Sequence, residues 1–127
     1  TVADAGCEVF TVHARKAWLK GLSPKENRDI PPLDYELVQV LKDERPDLKI
    51  VLNGGIKTLE ACAEHLSAFD GVMLGRAAYQ TPALLGQVDQ KLFDQTAPVL
   101  NPFDAVKAYR PYVEARLDEG VRLSQIT

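Results

Sequence analysis

Two glycine turns in this chain have the makings of a phosphate site. Asn53-Gly54-Gly55 ends the apolar run "LKIVLN", and Gly75-Arg76 ends "GVMLG". Glycine lets backbone N–H groups approach an anion closely, and the start of a following helix favours negative charge. Each turn alone is also what any tight strand-to-helix connection uses. Two of them, one strand-helix unit apart, favour a single phosphate held between them. His13 follows a third apolar run, "EVFTV". A lone histidine most often only hydrogen-bonds its own loop. Its place at the carboxyl end of a strand, where parallel α/β enzymes gather binding and catalytic groups, favours a working role.

After His13 comes a concentration of positive charge. Arg15, Lys16, Lys20, Lys25 and Arg28 face a single acid, Glu26, in a chain whose formal net charge is -3. Charged loops are mostly just solvated. The contrast with the acidic remainder, and Trp18 embedded among the cations, favour a nucleic-acid contact: phosphate neutralisation by Lys/Arg with base stacking by an aromatic. At about 20 residues the segment is long for a strand-to-helix connection, where 2–6 is usual, and long loops are usually functional.

These residues need elements to position them. The run Glu8–Val12, β-branched and aromatic after Gly6, reads as a buried strand. Ser23-Pro24-Lys25-Glu26 has the form of a capping box and predicts a short helical turn, which Pro31-Pro32 closes off. From Asp34, Leu37, Val38, Val40 and Leu41 recur at helical spacing as far as Pro46. Leu48–Asn53 predicts a second strand, residues 58–67 a helix with Leu59, Cys62, Ala63 and Leu66 on one face, and Gly71–Gly75 a third strand. "RAAYQTPALLGQVDQKLF" is helical in pattern despite Pro82, and Asn101-Pro102 opens a further helix that runs to Gly120, with Pro111 as a kink. Short strands apolar on both faces, each followed by a helix, predict a parallel α/β sheet. Three strands are too few to close a barrel. As consecutive strands of an eight-stranded one, they would put both glycine turns where such barrels commonly hold phosphate.

Composition sets limits. The chain is 46% hydrophobic and 26% charged, as a packed soluble domain requires. No apolar run approaches the roughly 18 residues of a membrane span. Cys7 and Cys62 form no pattern of spacings and have no histidine neighbour to activate them, so structural thiols in a reduced, cytoplasmic protein are expected. Arg110, Arg116 and Arg122 alternate with Glu114, Asp118 and Glu119, which reads as a solvated helix face before it reads as an RNA contact. The chain opens without an initiator methionine, and an excerpt of a longer protein is expected.

"HARKAWLKGLSPKENRDIPPLDY", "VLNGGIKTLE" and "DGVMLGRAAYQTP" together resemble the flavin-dependent tRNA-dihydrouridine synthases, specifically the A type. The resemblance covers nearly the whole chain. It implies an FMN-binding (β/α)₈ TIM barrel followed by a helical RNA-binding domain, of which residues 1–97 are the last three βα units and residues 98–127 the start of the helical part. It further implies that NADPH reduces FMN, that hydride passes to C6 of a uracil flipped out of the tRNA D-loop (20/20a type), and that a cysteine acid protonates C5. By the same resemblance His13 contacts flavin, while Asn53, Gly54, Gly55, Gly75 and Arg76 form the FMN phosphate site. Lys25 and Arg28 are the tRNA-contacting pair, and Arg15 helps hold substrate.

The family's catalytic cysteine and a flavin-contacting lysine lie on earlier strands, and neither Cys7 nor Cys62 stands in that motif. The chain by itself is therefore expected to be inactive. No metal and no obligate protein partner are implied. The alternatives are another FMN- or phosphate-binding barrel oxidoreductase, which gives Lys25 and Arg28 no task, and a non-catalytic RNA-binding module.

Overall fold

In the computed structural model, which describes residues 1–126, three short strands, β1 (Val9–His13), β2 (Lys49–Asn53) and β3 (Gly71–Met73), form one parallel sheet in the order β1-β2-β3. Helices α1 (Tyr35–Glu44) and α2 (Leu59–Leu66) join successive strands, and α3 (Arg76–Gln80) follows β3. The chain divides into two compact units, Thr1–Pro82 and the residues from Ala83 onward.

Local chemistry accounts for the helix starts. Asp34 caps α1 by accepting from the Leu37 N–H at 3.0 Å, and Thr58 caps α2 by accepting from the Ala61 N–H at 3.2 Å. At the amino end of the sheet, Asp70 accepts from Lys42 Nζ at 2.7 Å, from the Ile50 N–H at 2.9 Å and from Lys49 Nζ at 3.2 Å. It thereby ties α1, β2 and the entry to β3 into one junction.

Strand alternation divides the sheet into two faces. Ile50 and Leu52 of β2 are fully buried (0% exposed) and lie in register with Phe10 and Val12 of β1. Ala14, Val38, Leu48, Ile56, Leu59, Cys62 and Phe69 are buried with them and complete the core. The opposite face carries Val9, Thr11 and His13, all exposed. The expectation of a buried first strand is not met: Phe10 and Val12 are half-buried and the other three residues of β1 are exposed. Among the described residues no element covers that opposite face, and β1 has a strand on one side alone.

The long helix expected after β3 is interrupted. α3 ends at Gln80 because Thr81 precedes a proline and takes φ -137, ψ 66 rather than helical angles. Pro82–Gln87 then forms 3₁₀ turns, and Asp89–Phe93 a single wide turn of π type.

In the second unit α4 (Pro102–Asp118) starts at Asn101, whose side chain accepts from the Phe103 N–H at 2.9 Å, and runs on through Pro111. Leu100 N–H donates to Gly86 O at 2.9 Å, an approach so close that a Cβ on Gly86 would lie 2.6 Å from Leu100 O. On α4, Arg110 pairs with Glu114 at 2.7 Å and Arg116 with Glu119, as a solvated helix face would.

Candidate functional site

Parallel pairing places His13 of β1 opposite Asn53 of β2, and Asn53 opposite Met73 of β3. The three form one layer across the carboxyl end of the sheet, on its open face. Met73, 44% exposed, is a member that motif reading missed. Its position two residues before Gly75 was the available signal, since alternate strand residues share a face.

The first glycine turn fits directly against this layer. Gly54 has φ +116, and a Cβ built there would lie 3.3 Å from His13 Cε1 and 3.4 Å from Nδ1. Glycine is required here on two counts, the left-handed backbone and the imidazole stacked against it. Gly55, with φ +72, crowds Leu33, whose Cδ1 would be 2.4 Å from an added Cβ. Tyr35 Oη donates to Gly54 O at 2.7 Å and holds the turn from the α1 side. Gly75 differs. A Cβ added there would meet nothing within 4 Å, and as the residue before α3 it offers that helix no side-chain cap. Nothing in the chain's own packing asks for glycine at 75. The two turns end neighbouring parallel strands and so lie at the same edge of the sheet.

The basic loop leaves β1 and folds back on itself. Ala14 N–H donates to Asn53 O at 2.8 Å, Asp34 N–H donates to Ala14 O at 2.8 Å, and Arg15 bridges Leu33 in antiparallel fashion. Inside the loop, Asn27 accepts from the Trp18 N–H and donates to the carbonyls of Trp18, Leu22 and Ser23. The expected capping box is present: Glu26 Oε2 accepts from Ser23 N–H at 2.8 Å and from Ser23 Oγ at 2.6 Å, with Glu26 N–H donating to Ser23 Oγ. A 3₁₀ turn over Glu26–Arg28 follows. A 20-residue segment is thereby held in one shape largely by its own polar side chains.

The loop's cations have separate placements. Arg15 turns inward, its guanidinium donating to the carbonyls of Pro31 and, at 3.3 Å, Asp29; its Nε is buried with no acceptor among the described residues. Arg28 donates from Nε to Pro24 O at 3.1 Å, and Lys25 is exposed just ahead of the turn. Arg76, beyond the second glycine turn, pairs with Asp29 of the loop at 2.8 Å. That link was not legible in the sequence, because nothing local marks residue 29 as a partner of residue 76.

Electrostatics gather these groups around His13. Although His13 is exposed as a whole, the Gly54 turn against its ring partly desolvates the imidazole and holds it below its ordinary value of 6.5. The nearby guanidinium charges of Arg15, Arg28 and Arg76 push it the same way. His13 is thus a neutral ring at pH 7, within reach of the fields of three fixed cations. Such a place suits an anionic, planar ligand: charge for its anionic group, a flat polar edge from His13 and Asn53, and glycine backbone for close approach. Cys62, by contrast, is fully buried with its thiol pushed up by burial, and takes no part.

Comparison with known proteins gives the family. The family model for dihydrouridine synthase (Dus) matches residues 1–127. The chain is 61% identical over its whole length to the tRNA-dihydrouridine(20/20a) synthase of Pseudomonas syringae pv. tomato, covering 38% of that protein. It is 58% identical over 125 residues to the protein of the same name from Pasteurella multocida, covering 98% of this chain and 38% of the relative. With that of Yersinia pestis the identity is 58% over 128 residues, covering 37% of the relative. The chain thus spans little more than a third of the length of these relatives. With a family match over its full length, the chain belongs to the dihydrouridine synthase family.

Proposed function

We propose that the protein containing this chain is an FMN-dependent tRNA-dihydrouridine synthase that reduces D-loop uridine of the 20/20a type in the cytoplasm, with NADPH as reductant. Residues 1–97 are then the last βα units of its TIM barrel and residues 98–127 the start of a helical tRNA-binding domain. The observation that carries the reading is the His13–Asn53–Met73 layer, with Gly54 against the imidazole and Arg15, Arg28 and Arg76 acting on it.

FMN fits the residues present. Gly54, Gly55, Gly75 and Arg76 supply backbone approach and charge for its phosphate, and the open space at Gly75 leaves room for it. His13 and Asn53 offer hydrogen-bonding edges. Flavin held there would supply the hydride for the uracil ring, the matching proton coming from the cysteine acid that the family resemblance implies. The chain's own residues orient and hold: His13, kept neutral, presents a polar edge without adding charge, and Lys25 with Arg28 meet tRNA phosphates on the loop. Arg15 supports substrate through the loop it braces.

The test is Gly75→Asp in the protein at the full length of its relatives. An anion placed beside the phosphate abolishes flavin retention, read as loss of the yellow absorbance, and tRNA from a strain carrying it lacks dihydrouridine by mass spectrometry. Undiminished colour in that variant would reject the phosphate site. Charge reversal at Lys25 and Arg28 that leaves tRNA binding unchanged would favour a different FMN-binding barrel enzyme instead.

A further inference from the structure

One feature of the loop is not used by the cofactor site. Trp18 is 47% exposed, yet its backbone is fixed on both sides: its N–H donates to Asn27 Oδ1 at 2.7 Å and its carbonyl accepts from Asn27 Nδ2 at 3.1 Å. An exposed indole on a clamped backbone costs little further entropy to hold in one place. Beside it Lys16, Trp18, Pro32 and Asp34 line a hollow of about 130 Å³, the room of roughly four waters. Pro32 is a stiff wall because it follows the buried Pro31.

We propose that this hollow is a stacking subsite for one unpaired nucleobase of the RNA, a neighbour of the base that is modified. The inference rests on the tRNA reading above and makes it more specific. Charge chemistry selects the occupant. Lys16, Lys20, Lys25 and Arg28 neutralise a phosphate backbone along the loop, whereas inside the hollow the charged groups are Lys16 and the carboxylate of Asp34. A phosphate seated there would be repelled by the Asp34 carboxylate. A neutral ring would not, and its N–H donors would find an acceptor there. Asp34 Oδ1 already serves the Leu37 N–H, so its carboxylate is held in place. A π-face beside a cationic track is the combination that binds single-stranded nucleic acid, because every base can stack. Lys16 and Asp34 also border a larger cavity of about 320 Å³ that runs along α1 past Val12, Leu37 and Leu41, on the side of the sheet away from the glycine turns. Trp18 stands only five residues beyond His13 in the chain, which keeps a base next to one engaged at His13 within the loop's reach.

The experiment uses the flavin-loaded protein at the length of its relatives, with tRNA binding measured across a salt series. Trp18→Ala is expected to weaken tRNA binding about tenfold, the scale of one lost base stack. Flavin content and the slope of log affinity against log salt should match the wild type, because that slope counts phosphate contacts. Trp18→Phe should keep most of the affinity. The charge variant Arg28→Gln, run alongside, should lower the slope instead. Unchanged affinity in Trp18→Ala overturns the subsite. So does a loss that comes with reduced flavin, a shallower slope, or equal damage from Phe, since the indole would then be a prop for the loop. A wild-type protein that does not bind tRNA removes the underlying reading and the subsite with it.

Discussion

Three guanidinium groups act on one imidazole, but the structure gives them different tasks. Arg15 is spent on the carbonyls of Asp29 and Pro31, which close the loop. A lysine offers a point charge in place of a fork and cannot hold both. Arg15→Lys is therefore expected to open residues 16–30 to limited proteolysis and raise KM for tRNA while flavin stays bound; an unchanged cleavage pattern would contradict the clamp. Removing the charge of Arg28 should let the His13 pKa rise, which NMR titration of the imidazole reads directly. Because the folded value is depressed below 6.5, protonation works against the folded state, so this contribution to stability falls as pH drops through 6.5. The glycines separate in the same way. Gly55→Ala forces φ +72 on a side chain and presses on Leu33, so a loss of more than about 1 kcal/mol is expected in thermal melts. Gly75→Ala meets no atom of the chain, and should leave the melting temperature nearly unchanged while weakening flavin retention.

At the scale of elements, Asp70 is the junction that sets the sheet against α1. Its hydrogen bond from Lys42, then that from the Ile50 N–H, holds the carboxyl well below the ordinary value of 3.8. The stabilisation is complete above 3.8 and is lost as pH falls from there toward the depressed folded value. Thermal melts taken down through that range should show a loss that Asp70→Asn, already lacking the carboxylate, does not repeat. Equal acid sensitivity in wild type and variant would remove Asp70 from the account. Helix starts at Asp34, Thr58 and Asn101 were legible in advance because a cap acts within three residues of itself. The break at Thr81 was not, since the apolar spacing of "RAAYQTPALLGQ" stays helical across Pro82 while the proline restricts only the backbone of the residue before it.

For the molecule as a whole, the described residues leave the outer edges of β1 and β3 unpaired and Val9 60% exposed. Unpaired strand edges are templates for association. The isolated 127-residue chain is expected to self-associate and to melt without a sharp transition, as judged by analytical ultracentrifugation and calorimetry. A monodisperse monomer with a cooperative melt would show that the three-strand sheet suffices by itself.

The sequence by itself determined where strands and helices alternate, and it nominated the residues proposed above for phosphate, flavin and RNA. Glycine turns, caps and apolar periods act over a few residues and can be read in order. Only the tertiary structure decided that His13 lies against Gly54, that Met73 joins their layer, that Arg15 faces its own loop and that Asp29 reaches Arg76. Each of those contacts joins residues far apart in the chain or turns on which way a side chain points. Parallel register and loop closure settle both, and no local signal encodes either.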